Sequence, residues 1–159
     1  QTERKAELAM RTPQEDTLMT ETIPADAPKA TPFETGELQT SDFFKTNFSG
    51  PVYLKMLTDN PSAPIANVTF APGTLNSWHV HKGGQMLLVT HGRGWYCEWE
   101  GVARELKPGD VVDIPAGVKH WHGAAKDSWF AHVSIEIDPE KGPAEWLEPV
   151  AEEEYAKLP

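Results

Sequence analysis

Two glycine-framed stretches decide how this chain is read. The first is Gly73-Thr-Leu-Asn-Ser-Trp-His79-Val-His81-Lys-Gly-Gly-Gln85, closing at Gly92. The second is Gly109-Asp-Val-Val-Asp-Ile-Pro115-Ala-Gly117-Val-Lys-His120-Trp-His122-Gly123. His79 and His81 stand two apart in an extended segment, so their side chains project to one face. Lys82-Gly83-Gly84 is a turn that can return Gln85 towards the same point. Gly109 and Pro115-Ala-Gly117 frame a hairpin that delivers His120. Three imidazoles and one amide oxygen make a donor set for a single divalent transition metal. The set leaves room for exchangeable ligands, the mark of a catalytic rather than a structural ion. Imidazole and amide oxygen suit Mn, Fe, Co, Ni or Zn.

Around these stretches the pattern is that of an all-β chain. Short runs rich in β-branched and aromatic residues cover 52–58, 65–70, 85–91, 94–99, 103–106, 111–114 and 129–137. Turn signals such as Asp59-Asn60-Pro61, Ala71-Pro72-Gly73 and Lys107-Pro108-Gly109 separate them. Many short strands at near-regular spacing predict a sandwich or barrel. Strand-like patterning starts near Asp42. Residues 1–40 read as an arm, with Pro13, Pro24, Pro28 and Pro32, a helix-forming run over 3–11 and an extended remainder. Residues 41–159 form the domain, with the metal motifs at 73–92 and 109–123 and a short helical tail at the end.

With 159 residues, 39% hydrophobic and 24% charged, the chain has the composition of one soluble globular domain. A formal net charge of −10 argues against nucleic acid and anionic membranes as partners, since both require clustered Lys and Arg. The acidic run Glu145, Glu148, Glu152, Glu153 and Glu154 reads as solvated surface. Cys97 stands alone, so no intrachain disulfide forms; it is a packed strand residue or a reactive thiol. No apolar run of about 18 residues is present to cross a membrane as a helix. A start at Gln1 rather than Met fits a cleaved leader or a trimmed chain, leaving cytoplasm and periplasm both open.

The strand 129–137 places His132, Ser134 and Glu136 on one face and Val133, Ile135 and Ile137 on the other. If the polar set faces the barrel interior, the apolar set needs a further layer. A homodimer or higher homo-oligomer packed through sheet faces would supply one, and a covering arm is the alternative. His122, two residues after His120, faces the same interior as the ligand or has a structural role. His132 and His122 are candidate general bases. Glu136 is a base, an orienter for a histidine, or a solvent-facing strand residue. Trp78, Trp95, Trp99, Trp121 and Trp129 are pocket wall or packing.

The two stretches resemble the paired motifs of the cupins, G-x5-H-x-H-x3-E-x6-G and G-x5-P-x-G-x2-H, with Gln85 where Glu is usual. The resemblance covers about Asp42 to Ile137 and implies a double-stranded β-helix, the jelly-roll barrel. The runs His79-Val-His81-Lys-Gly-Gly-Gln85-Met-Leu-Leu-Val-Thr and Lys119-His120-Trp121-His122-Gly123-Ala124-Ala125 are similar to the small manganese-dependent bacterial cupins with hydroxynitrile lyase activity. That closer resemblance implies His79, His81, Gln85 and His120 as ligands, with manganese first among the metals. It implies His122 and His132 as pocket histidines, and Ala66 and Val68 as pocket wall. Glu136 departs from it, falling where those enzymes tend to have Gln, and is expected to add charge to the substrate pocket.

A Glu at position 85 would bring a negative charge to the ion, and Gln brings none. The full divalent charge favours Lewis acid work on a hydroxyl or carbonyl oxygen. The expected function is therefore metal-dependent catalysis on a small molecule, with cyanohydrin cleavage and formation as the named reaction. A cupin dioxygenase or oxidoreductase acting on a phenolic or enolic substrate is the alternative, and a non-catalytic metal- and ligand-binding cupin a third.

Overall fold

Alternating apolar and polar residues, interrupted by Pro, Gly and Asn turns, build eleven strands in the described residues of the structure, a computed structural model covering 23–28 and 32–159. In chain order they are β1 (Glu37–Leu38), β2 (Val52–Met56), β3 (Ile65–Phe70), β4 (His79–Val80), β5 (Gln85–Gly92), β6 (Gly94–Glu98), β7 (Arg104–Leu106), β8 (Val111–Ile114), β9 (His120–Ala124), β10 (Phe130–Glu136) and β11 (Glu145–Trp146). Two short helices accompany them, α1 (Asp42–Asn47) between β1 and β2, and α2 (Glu152–Ala156) after β11. The strands form two antiparallel sheets, ordered β1-β2-β3-β10-β5-β8 and β11-β4-β9-β6-β7. This is the expected jelly-roll architecture.

The main core lies between the sheets, where Val52, Phe70, Leu87, Leu106, Ile114 and Phe130 are buried together. Each fully buried large apolar side chain contributes about 1.5–3 kcal/mol. β5 sends Gln85, Leu87 and Val89 inward, whereas Met86, Leu88 and Thr90 lie on the outer face. The β5–β10 register slips between Ala131 and His132, where Thr90 has no opposite partner. A bulge of this kind re-aims neighbouring side chains, and here it sits beside His132.

Two expectations change. The stretch after Asp42 is helical before it is extended, because Phe43, Phe44 and Phe48 at helical spacing bring their rings together and onto Phe70. β1 comes from the expected arm and pairs with β2. The described part of the arm reaches the outer face of the larger sheet at two points, where the Asn67 side-chain amide donates to Glu34 O at 2.9 Å and the Trp129 indole donates to Asp26 at 3.0 Å; within the arm Thr35 donates to Pro28 O. The helix expected over 3–11 lies outside the described residues. The five tail glutamates are exposed, as expected of solvated surface, while apolar residues among them pack into the fold. β11 pairs with β4, and Val150, Tyr155 and Leu158 pack on the second cluster of Leu75, Trp95, Cys97, Trp121 and Ala125. Burial there raises the Cys97 thiol pKa, so it is a packed residue. No helix of the described residues is long and apolar enough to cross a membrane.

Candidate metal centre

Strand pairing, rather than a single loop, gathers the donors. β4 and β9 run antiparallel with His79 opposite His120, and the ring centroids are 4.2 Å apart. The Lys82-Gly83-Gly84 turn brings the chain back at Gln85. Gly84 has φ +98°, and a Cβ on Gly83 would lie 2.1 Å from Ile137 O, so neither position accepts a side chain without rearrangement.

Each of the three motif histidines is anchored by its outer nitrogen. His79 Nδ1 donates to Ser77 O at 2.7 Å, and His120 Nδ1 donates to Val118 O at 2.9 Å. His81 Nδ1 donates to Glu136 Oε1 at 2.9 Å. A carbonyl or carboxylate can only accept, so Nδ1 carries a proton in each ring and Nε2 is the nitrogen turned inward. His81 Nε2 is buried and has no partner among the described residues. The Gln85 amide N–H donates to Ser134 Oγ at 2.8 Å, which turns Oε1 to within 3.2 Å of His120 Nε2. Two lone pairs thus face each other across that gap, an arrangement that a cation resolves. Outer acceptors that fix the tautomer of inner imidazoles are the usual second layer of a metal site. The residues present therefore fit a divalent ion.

Among the described residues, the histidines whose donor atoms all lie within 4.8 Å of one another are His79, His120 and His122, a group that does not include His81. What separates His122 from His81 is its neighbour. Asn76 Oδ1 accepts the His122 backbone N–H at 2.8 Å, which aims Asn76 Nδ2 at the His122 ring, 3.2 Å from Nε2 and 3.4 Å from Nδ1. A His122 lone pair is thus occupied by Asn76, whereas that of His81 is bare. His132 stands edge-on to His122, with centroids 4.8 Å apart, and neither of its ring nitrogens has a hydrogen-bond partner among the described residues. Burial lowers the pKa of His79, His120, His122 and His132, that of His120 and of His132 to about 4 and those of His79 and His122 well below the ordinary value. They are neutral at pH 7 and able to bind a metal or accept a proton.

The cluster borders a cavity of about 180 Å³, which His120 does not line. His79, His81, Gln85, His122, His132, Asn76 and Ser134 line its polar side, and Phe43, Phe44, Phe48, Val68, Phe70 and Trp146 its apolar side. Val68 is in the wall as expected. Ala66, two residues back on β3, packs on the main core and does not line the cavity. Glu136 is not in the wall either; it stands behind His81. The five tryptophans considered from sequence are also absent from this wall. Trp95 and Trp121 belong to the outer cluster, Trp78 and Trp99 flank Lys119, and Trp129 holds the arm. The sixth, Trp146, stacks on His79 with centroids 4.4 Å apart. Sequence reading missed Trp146, Asn76 and the Phe43/Phe44/Phe48 trio. Only the trio carried a local signal, its helical spacing.

The profile of the cupin domain matches residues 66–135. The (R)-mandelonitrile lyase of Granulicella tundricola is 39% identical over 113 residues, spanning 69% of this chain and 86% of that protein. An acireductone dioxygenase of Prochlorococcus marinus is 30% identical over 84 residues, and the chain covers 45% of its length. Among solved structures, a cupin-like protein from Thermotoga maritima superposes with a TM-score of 0.73 at 46% identity, covering 79% of this chain and 95% of that one.

Proposed function

The chain belongs to the cupin family, and on that premise we propose that it is a metal-dependent lyase that cleaves and forms cyanohydrins. His79, His81, Gln85 and His120 hold one divalent transition metal in this reading, manganese first. The observation that carries it is the set of inner lone pairs left bare when the outer nitrogens of His79, His81 and His120 and the amide N–H of Gln85 are engaged by protein acceptors. Similarity to an (R)-mandelonitrile lyase supports the choice of reaction.

When bound, the ion supplies Lewis acidity, making a substrate hydroxyl more acidic and stabilising the oxyanion. The remaining work falls to the chain. Phe43, Phe44, Phe48 and Trp146 receive the apolar substituent and exclude water from the mouth. His132 is the base: it is neutral, buried, faces the cavity and has no competing protein partner. It takes the hydroxyl proton while the C–C bond breaks; that electron pair leaves with cyanide, and an aldehyde forms. His132 then returns the proton, and hydrogen cyanide departs. His122, held by Asn76, fixes the base edge-on.

Elemental analysis of the purified chain, followed by anaerobic assay of mandelonitrile with the metal found, tests the reading. Stoichiometric metal and benzaldehyde release without oxygen are expected. A fully loaded protein that leaves mandelonitrile intact would sink the lyase assignment. The similarity to acireductone dioxygenase favours a second reading, oxygen activation on an enolic substrate. Oxygen uptake by the reduced, metal-loaded protein would select it.

A further inference from the structure

The three acceptors behind the metal-facing histidines are not alike. Ser77 O and Val118 O are neutral carbonyls, whereas Glu136 is a carboxylate. β10 places Glu136 directly opposite Gln85 on β5. Its Oε1 is 2.9 Å from His81 Nδ1, and the His81 and Glu136 side chains are 8% and 23% exposed. Glu136 thus meets the imidazole at the nitrogen turned away from the cavity, and the ring stands between carboxylate and donor cluster. Gln85, its neighbour across the ladder, is the position from which an anion would touch the ion directly. Between them the two strands carry one carboxylate and one amide, with the carboxylate on the outer side of His81.

Resting on the reading that His79, His81, Gln85 and His120 hold a metal, we propose that Glu136 is the positioning residue of this centre, compensating the ion's charge through His81 instead of by direct contact. A carboxylate behind an imidazole orients the ring and strengthens its lone pair as a donor. A carboxylate on the ion would also do so, but it would compete with a substrate oxyanion for the same positive charge and would stand in the cavity beside any anionic leaving group. Moving the charge outward by one ring retains the affinity and keeps the cavity wall free of negative charge. The substrates that benefit are those that develop anions on the cavity side, an oxyanion and a departing anion such as cyanide.

Mn(II) titration of the full chain against a competing chelator separates the parts. Glu136→Gln keeps an acceptor for Nδ1–H but removes the charge, and about tenfold weaker Mn(II) binding is expected; Glu136→Ala removes both, and about 100-fold is expected. The Mn(II) paramagnetic resonance spectrum of Glu136→Gln should differ from that of the wild type, a change that loss of packing alone would not produce in a chain with wild-type circular dichroism. The exchange Gln85→Glu with Glu136→Gln should return the affinity to within a few-fold of the wild type. Wild-type affinity and an unchanged spectrum in both single variants would overturn the role of Glu136. Failure of the wild-type chain itself to bind Mn(II) or any of the other candidate ions would overturn the metal centre, and this inference with it.

Discussion

The barrel interior has two halves made by the same strands. On β5 the inner face runs from Gln85 to Leu87 and Val89, on β9 from His120 and His122 to Ala124, and on β10 from Phe130 to His132, Ser134 and Glu136. At one end the interior is aliphatic and aromatic and is stabilised by burial. At the other it is lined by imidazoles: the outer nitrogens of His79, His81 and His120 are satisfied, while His81 Nε2 and both ring nitrogens of His132 are not. Buried polar atoms without partners destabilise a fold by about 1–3 kcal/mol each. The apolar half therefore stabilises the protein, and the polar half is a concentrated liability that the proposed ion and substrate would relieve.

The strongest attempt to break this contrast is His120→Ala. It should remove the metal and lower lyase turnover by more than about 100-fold, while the apolar half keeps the chain folded. Elemental analysis and anaerobic assay check it, and retained metal would show that the donors are assigned wrongly. Phe130→Ala attacks the other half. It should destabilise the chain by about 3–5 kcal/mol in urea, leaving the metal content of the folded fraction unchanged. Metal release ahead of unfolding in that variant would show that the halves are not separate.

A smaller test uses acid. His132 has its pKa lowered by burial from 6.5 to about 4. The unfolded chain takes up this proton first on acidification, so the contribution to stability is complete above about pH 6.5 and is lost as pH falls towards 4. Near the middle of that window the slope is about 1.4 kcal/mol per pH unit. His132→Phe, in a site already flanked by Phe70 and Phe130 at 5.6 and 5.7 Å, should remove this part of the acid sensitivity. Urea midpoints of the metal-free proteins at pH 7 and pH 5 measure it; equal slopes in wild type and variant would show that His132 does not stay neutral on folding. The smallest effect is expected at the cavity mouth. Trp146→Ala should raise KM for an aromatic substrate by about 2–10-fold, with metal retained and kcat little changed.

Much of this was legible in the chain. The alternation on 129–137 placed His132, Ser134 and Glu136 on the inner face, and the strand ranges fall within a few residues of those observed. The motif spacings picked out His79, His81, Gln85 and His120; the first three line the cavity, and His120 lies against His79 and Gln85 without lining it. For Glu136 the chain left several readings open, among them a pocket wall and an orienter for a histidine; the Glu136–His81 hydrogen bond, 55 residues apart in sequence, selects the orienter. Trp146 sat in a run of glutamates that reads as surface and is instead stacked on a candidate ligand.

The dividing line is physical. Side-chain direction along a strand, the turn at Lys82-Gly83-Gly84 and the framing of the second motif are local properties, set by backbone geometry within a few residues. The sequence by itself therefore determined the all-β class and pointed to the four-residue donor set proposed above. Which nitrogen of each imidazole is held, that Asn76 engages His122 but leaves His81 bare, and which aromatic rings close the cavity all depend on register between distant strands. Antiparallel pairing brings Glu136 opposite Gln85 and Trp146 opposite His79, and only the assembled sheets decide that.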